Sequence, residues 1–136
     1  MIQQTPMTWW QLIAPVFLIL IYAMLSYLAF FDQTFFFESM DMPSPNHDFL
    51  IWSWGGKNTA LLVALILGTL SRDAKTMYIL LVALLVMQVG DINAGLRTNV
   101  NVFITYIAMG FVLLEFIALG LGRRLVEKSK LTNDGS

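Results

Sequence analysis

The chain has no cysteine and a single histidine, and only 12% of its residues are charged. Without cysteine, disulfides, thiol redox chemistry and cysteine-ligated metal clusters are excluded. His47 stands beside one acidic residue in a proline-containing segment, which is too few ligands for a metal site, so we expect no metal and no cofactor. The first ten residues contain neither Lys nor Arg. A secretory signal peptide needs a basic start, and we therefore expect the first hydrophobic segment to be retained.

Motifs of soluble enzymes are also missing from the sequence. It contains no GxSxG elbow, P-loop, HExxH or dinucleotide fingerprint, so no catalytic residue can be assigned and enzymatic activity stays an open question. The net charge of −1 gives no information about nucleic acid, and no basic groove is visible, so no nucleic-acid partner is expected.

Hydrophobic residues make up 57% of the chain and gather into four runs. Each run has about 20 residues, the length that crosses roughly 30 Å of hydrocarbon. The runs are residues 9–31, 50–70, 77–96 and 102–122. The sequence therefore predicts an all-α membrane protein, a four-transmembrane-helix bundle in the lipid bilayer. We expect one domain over residues 1–128 and a disordered polar tail over residues 129–136.

The distribution of basic residues predicts the orientation. Six of the eight Lys and Arg residues follow the second or the fourth run. Because Lys and Arg concentrate in cytoplasmic segments, both termini are expected in the cytoplasm. The acidic segment 32–49 then lies outside, and its adjacent aromatics, Phe35, Phe36 and Phe37, are expected to rest on the membrane surface as a lid.

Two opposite charges occur inside the hydrophobic runs. Lys57 and Asp91 both lie about 10 Å below the outer face at about 1.5 Å of rise per residue, so an ion pair between the second and third helices is expected. Asn58 is adjacent to Lys57, and Gln88 shares a helix face with Asp91. Together these residues predict a polar patch in the outer half of the bundle.

Further polar and aromatic residues extend this patch. Arg97 lies at its mouth, Trp54 lies near the outer interface, and Glu115 lies about 20 Å below the outer face. The candidate ligand-binding residues are Lys57, Asn58, Gln88, Asp91, Arg97, Glu115 and Trp54. Three interpretations stay open: polar contacts that fix the helices in register, an outward-facing pocket for a small amphipathic or hydrophobic ligand, and ion or proton traffic.

Glu115 allows its own alternatives. As a neutral acid it can stabilise a helix contact, for example by bonding the hydroxyl of Tyr22 or Tyr27. The other interpretation is a proton-linked or ligand-contacting carboxyl.

Small residues recur at every fourth position of the second run: Gly56, Ala60, Ala64 and Gly68. This small-residue ribbon predicts close helix packing, with the second helix at the centre. It also favours an alternative function, a scaffold or accessory subunit that packs against a partner or a second copy. Small drug or ion exporters form a third class, but their essential carboxylate usually lies in the first helix, which here has no charge before Asp32.

The segments Gly55-Gly-Lys-Asn58, Ser71-Arg-Asp73 and Gly90-Asp91 resemble the middle of four-helix membrane proteins of the DoxX-like superfamily. This resemblance implies a four-helix bundle in a bacterial inner membrane. Relatives are described variously as quinone-linked oxidoreductase subunits or as proteins of unknown role, so the resemblance implies little about activity. A lipid-like or quinone-like molecule is the hypothesis for the ligand of the pocket. Many members have Arg where this chain has Lys57, which changes how that position could bind a carboxylate.

Overall fold

The computed structural model describes residues 6–31, 44–98 and 102–135, and these ranges form an all-α structure. A single 3-10 turn, Trp9–Leu12, leads into the first helix. The described ranges contain four α-helices, which we number α1 (Ile13–Phe31), α2 (Ser44–Ser71), α3 (Ala74–Thr98) and α4 (Phe103–Asp134). The predicted helical class is confirmed, whereas the proposed lid, Phe35 to Phe37, lies outside the described residues.

Two of the helices are longer than the hydrophobic runs. Helix α2 begins at Ser44 instead of residue 50, where Pro45 is well placed because the first turn of a helix does not need its N–H. Helix α4 continues to Asp134 instead of ending at residue 122. The expected disorder after residue 128 is therefore absent up to Asp134. Good helix formers and an Arg123–Glu127 pair at 3.1 Å support the extension.

Among the described residues, three segments are long and apolar enough to cross a membrane: Trp9–Phe31, Ala74–Arg97 and Phe103–Asp134. Large apolar side chains on the outside agree with this, since Leu67, Val86 and Ile117 are 62%, 67% and 59% exposed. In water, so much exposed apolar surface would need a cover, whereas lipid solvates it. The chain is accordingly an integral membrane protein.

The helices pack as a bundle in which α1 has the most extensive contacts. It lies against both α2 and α4, while α3 lies against α4 and α2. The central position expected for α2 thus belongs to α1. Gly55 allows the close approach of α1 and α2, because a Cβ there would lie 2.8 Å from the Phe30 ring and 3.2 Å from the Ala29 Cβ.

The small-residue ribbon does not lie inside the bundle as predicted. A Cβ at Gly56 would meet nothing within 4 Å, and Ala60 is exposed. Only Gly68 is buried, with a Cβ position 3.1 Å from the Leu80 side chain. The predicted internal packing role is therefore wrong for Gly56 and Ala60. The face of α2 that points into the bundle contains Gly55 and Asn58 instead.

We call the end of the bundle where α1 ends and α4 begins the outer end, and the opposite end the inner end. At the inner end, the buried Gln11 joins the first turn to α4. Its Oε1 accepts hydrogen bonds from the Thr8 N–H at 2.8 Å and the Thr8 hydroxyl at 3.0 Å. Its Nε2 donates to the Ala118 carbonyl at 3.2 Å. Gly122 leaves space for this amide, since a Cβ there would overlap with the Gln11 Nε2.

The turn between α2 and α3 is tied to the segment that precedes the first turn. The Met7 N–H donates to the Arg72 carbonyl at 2.8 Å, and Arg72 has a left-handed backbone with φ of 51°. Asp73 then caps α3 by accepting from the Thr76 N–H at 2.9 Å. These bonds satisfy backbone groups that a helix end otherwise leaves unpaired.

Candidate ligand site in the outer half of the bundle

The predicted ion pair is present and joins α2 to α3. The Lys57 ammonium donates a hydrogen bond to the Asp91 carboxylate, and the two side chains are 24% and 31% exposed. The pair therefore lies at the edge of the bundle and not on its axis. Because each charge neutralises the other, neither needs a charged ligand to be stable in the membrane.

The residues that point into the bundle at this level are the amides. Asn58 and Gln88 are each 1% exposed. The Gln88 Nε2 donates to the Tyr22 hydroxyl at 3.3 Å, which connects α3 to α1. The four predicted residues Lys57, Asn58, Gln88 and Asp91 therefore occupy one level of the bundle.

Several buried polar atoms at this level have no hydrogen-bond partner within the described part of the chain. They are the Asn58 Nδ2, the Gln88 Oε1 and the Ser26 Oγ. Ser26 lies one turn beyond Tyr22 on α1 and is 8% exposed. Unpaired buried polar groups destabilise a fold, and native proteins almost always satisfy them. These atoms therefore call for water or a ligand. We name the whole group the polar cluster; it comprises Lys57, Asp91, Asn58, Gln88, Tyr22 and Ser26.

The other predicted site residues do not join the polar cluster. Arg97 is exposed at the end of α3. Trp54 is partly buried and packs against the hydrophobic core. Glu115 is completely buried on α4, but it bonds neither Tyr22 nor Tyr27, and both its carboxyl oxygens lack a partner among the described residues. Its role is therefore separate from that of the polar cluster.

Two surface grooves occur in the inner half of the described structure. One lies between α2 and α3 beside Gly68 and Leu80. The other lies at the inner turn and is lined by Pro6, Arg72 and their neighbours. Neither groove includes a member of the polar cluster, so the case for an outer ligand site depends on its unpaired atoms.

Three buried polar residues are not among the site residues predicted from the sequence: Tyr22, Ser26 and Gln11. A signal was present for each. Tyr22 and Ser26 are four residues apart, a spacing that places both on one helix face. Thr8 and Gln11 have the Ser/Thr-x-x-Glu/Gln spacing of a helix-start capping box.

Comparison of the chain with the models of known protein families, with curated proteins and with solved structures found no match in any of the three.

Proposed function

We propose that the chain crosses the membrane four times, with both termini in the cytoplasm of a bacterial cell and the bundle in its inner membrane. Helix α2 has 28 residues, about 42 Å at 1.5 Å per residue, which is long enough to span. Lys57 and Asn58 lower the hydropathy of α2. The Lys57 ammonium is in the ion pair with Asp91, and the Asn58 amide faces the interior. Arg72 and Lys75 at the inner turn, with the basic residues that follow residue 122, support the orientation.

We propose further that the polar cluster binds a small lipid-soluble molecule from the outer side. The observation that carries this proposal is the set of buried, unpaired atoms on three different helices: Ser26 Oγ, Asn58 Nδ2 and Gln88 Oε1. In this proposal, a molecule bound between α1, α2 and α3 supplies their hydrogen-bond partners. The likeness of the Gly-Lys-Asn and Gly-Asp segments to DoxX-like proteins points in the same direction.

The chemistry of these atoms defines the ligand class. Asn58 offers N–H donors, Gln88 offers a carbonyl acceptor, and Ser26 offers a hydroxyl that can do either. The ion pair leaves no net charge at the site. The matching ligand is a neutral, lipid-like or quinone-like molecule that carries a carbonyl or hydroxyl head group on an apolar body.

Native mass spectrometry of the protein in mild detergent tests this proposal. We expect a small molecule to co-purify with the wild type and to be lost from the double variant Asn58→Leu, Gln88→Leu. The double variant removes both the Asn58 N–H donor and the Gln88 carbonyl acceptor. Asn93→Leu is the matched control, since Asn93 is an exposed amide on the same helix as Gln88. A wild-type protein free of any adduct, or a double variant that retains it, contradicts the proposal.

A scaffold or accessory subunit is the second candidate, and the outward position of the small-residue ribbon favours it. Gly56 and Ala60 form a smooth strip on the outside of α2, and such strips let two membrane helices approach closely. We expect Gly56→Leu to shift the detergent-solubilised protein from dimer to monomer, while Ile66→Leu, at an exposed position about 80° around α2 from Gly56, does not. A wild-type protein that is monomeric at all concentrations contradicts this function.

A further inference from the structure

The inner halves of α2 and α3 leave an apolar groove between them, which we call the α2–α3 groove. Small or apolar residues line it: Ala64, Leu67 and Gly68 on α2, and Ile79, Leu80 and Ala83 on α3. Gly68 has no side chain, and Ala64 and Ala83 each carry only a methyl group, so these residues leave space between the helices. Leu67 and Ile79 are largely exposed. The groove therefore opens to the lipid that surrounds the bundle.

The length of the α2–α3 groove suits an acyl chain. Along α3 it is lined from Thr76 to Ala83, which is about 10 Å at about 1.5 Å per residue. The hydrocarbon core is roughly 30 Å thick, so one leaflet supplies about 15 Å. An acyl chain of the leaflet at the inner end can therefore lie in the groove over most of its length.

The inner end of the α2–α3 groove meets basic side chains. Thr76 lines both this groove and the one at the inner turn, so the two are continuous. Arg72 lines the second groove, and Lys75 is adjacent to Thr76. Both side chains are exposed, and neither forms an ion pair with another described residue. A guanidinium and an ammonium beside an apolar groove complement a phosphate at the end of an acyl chain.

Asp73 in the same turn adds a second requirement. Its Oδ2 accepts hydrogen bonds from the Thr76 N–H and hydroxyl, whereas its Oδ1 is buried and has no partner among the described residues. Arg72 and Lys75 against Asp73 leave the turn with a net charge of +1. A phosphodiester carries a single negative charge, which balances this, and a hydroxyl beyond the phosphate can donate to Oδ1.

The backbone of Arg72 supports a role for its side chain. With φ of 51° it has the left-handed conformation that glycine adopts more readily than arginine. The Met7 N–H bonds the Arg72 carbonyl and holds the residue in place. A basic side chain at a position that suits glycine points to a function for the guanidinium.

We propose that the inner halves of α2 and α3 bind an anionic phospholipid with a hydroxylated head group, of the phosphatidylglycerol type. One acyl chain lies in the α2–α3 groove beside Gly68, and the phosphate pairs with Arg72 and Lys75. A hydroxyl of the head group donates to the Asp73 Oδ1. This site is at the opposite end of the bundle from the polar cluster and does not depend on the ligand proposed there.

Lipid titration followed by native mass spectrometry tests the proposal on the full-length protein after co-purified lipid has been removed. We expect phosphatidylglycerol to bind at least about tenfold more tightly than phosphatidylcholine, which has no net charge and no hydroxyl donor in its head group. Equal affinities for the two lipids would indicate non-specific contact with the surrounding bilayer and overturn the proposal.

Two double variants locate the phosphate, since each removes two basic residues from the inner end. Arg72→Gln, Lys75→Gln is expected to weaken phosphatidylglycerol binding about tenfold or more. Arg123→Gln, Arg124→Gln makes the same change on α4, away from the α2–α3 groove, and should bind like the wild type. An equal loss in both double variants would assign binding to net charge alone and overturn the proposal.

A second pair of variants tests the acyl chain. Ala83→Leu fills the α2–α3 groove and is expected to weaken phosphatidylglycerol binding several-fold, whereas Ala23→Leu, the same change at an exposed position of α1, is expected to leave it unchanged. Glycerol phosphate, which has no acyl chain, should not compete. Wild-type binding by Ala83→Leu, or competition by glycerol phosphate at the concentrations at which the lipid binds, overturns the proposal.

Arg72→Gly guards against a variant that fails to fold. Because glycine suits the left-handed backbone at this position, we expect its melting temperature in lipid-free detergent to be no lower than that of the wild type. Its phosphatidylglycerol binding should nevertheless fall several-fold. A folded Arg72→Gly protein that binds this lipid like the wild type overturns the proposal.

The double variant Asn58→Leu, Gln88→Leu separates this site from the polar cluster. It is expected to bind added phosphatidylglycerol with wild-type affinity even though it loses the ligand of the outer half. If it loses phosphatidylglycerol while Arg72→Gln, Lys75→Gln retains it, the lipid binds at the polar cluster and the inner site is overturned.

Discussion

The outer and inner halves of this bundle solve the problem of buried polarity differently. In the inner half, Gln11 has all its described polar atoms bonded, and the Met7–Arg72 bond ties the first segment to the inner turn. In the outer half, Asn58, Gln88 and Ser26 each leave a buried polar atom unpaired. Buried atoms without a partner among the described residues also occur in the inner half, at Thr69 Oγ1, Asp73 Oδ1 and the two Glu115 carboxyl oxygens. The halves therefore differ in arrangement: the unpaired atoms of the outer half lie on three helices at one level, where we propose that a ligand binds.

The largest effect is expected from breaking the ion pair of the outer half. Asp91→Ala leaves the Lys57 ammonium without its partner in a partly exposed position. We expect a loss of about 2–3 kcal/mol in the free energy of unfolding, between the values for exposed and buried pairs. Thermal melts in detergent measure it.

The double variant Lys57→Met, Asp91→Leu is the control for this pair, and it should recover more than half of the loss because no lone charge remains. An Asp91→Ala melt indistinguishable from that of the wild type would show that the pair contributes nothing to stability.

A second prediction concerns the close contact of α1 and α2 in the outer half. Gly55→Ala places a methyl group 2.8 Å from the Phe30 ring, and we expect overpacking to cost about 2 kcal/mol. The adjacent Gly56→Ala should be neutral or slightly stabilising, since nothing lies within 4 Å of its Cβ position. Equal melting temperatures for the two variants would contradict the packing described for this face.

The inner half offers a similar pair on α4. Gly122→Ala pushes the Gln11 amide away from the Ala118 carbonyl, whereas Gly120→Ala meets nothing within 4 Å. Both variants gain the same helix propensity, so the lost hydrogen bond should make Gly122→Ala about 1 kcal/mol less stable than Gly120→Ala. Chemical denaturation in mixed micelles compares them, and the reverse order of stability would remove Gln11 from the account of the inner half.

The smallest effect is expected at the inner turn and depends on pH. Hydrogen bonds from the Thr76 hydroxyl and N–H hold the pKa of Asp73 below its ordinary value. The stabilisation is thus fully present above the ordinary pKa and disappears as the pH falls through the lowered one. At pH 7, Asp73→Ala should melt slightly below the wild type, and the gap should close in strong acid. A gap for Asp73→Ala that persists in strong acid would contradict the cap.

Much of this structure could be predicted from the sequence where a strong physical constraint applied. Hydrophobic run length gave four helices, and the matched depth of Lys57 and Asp91 predicted their pairing, because two charges in lipid have few ways to be stable. The inward face of α2 was predicted one residue off. Small side chains at Gly56 and Ala60 suit either an internal contact or an external one, and composition does not distinguish the two.

Other features could not be obtained from the sequence for a similar reason. The isolation of Glu115 depends on where the side chains of α1 and α3 end, which spacing along α4 does not reveal. The helical tail was misjudged because polar residues such as Lys128 and Thr132 are equally compatible with a solvated helix and with disorder. The i,i+4 pair of Arg123 and Glu127 favours the helix over a disordered tail.

The extension of α4 to Asp134 separates two pairs of basic residues on this helix. Arg123 and Arg124 lie next to the hydrophobic run, whereas Lys128 and Lys130 lie farther along. Lys128 and Lys130 stand about 9 Å and 12 Å beyond Gly122 along a straight helix. The Debye length at physiological salt is about 8 Å, so their attraction to anionic head groups is screened. Arg123 and Arg124, in the first turn after Gly122, are left as the basic residues nearest to the hydrophobic run, and the rest of the helix extends past them to Asp134.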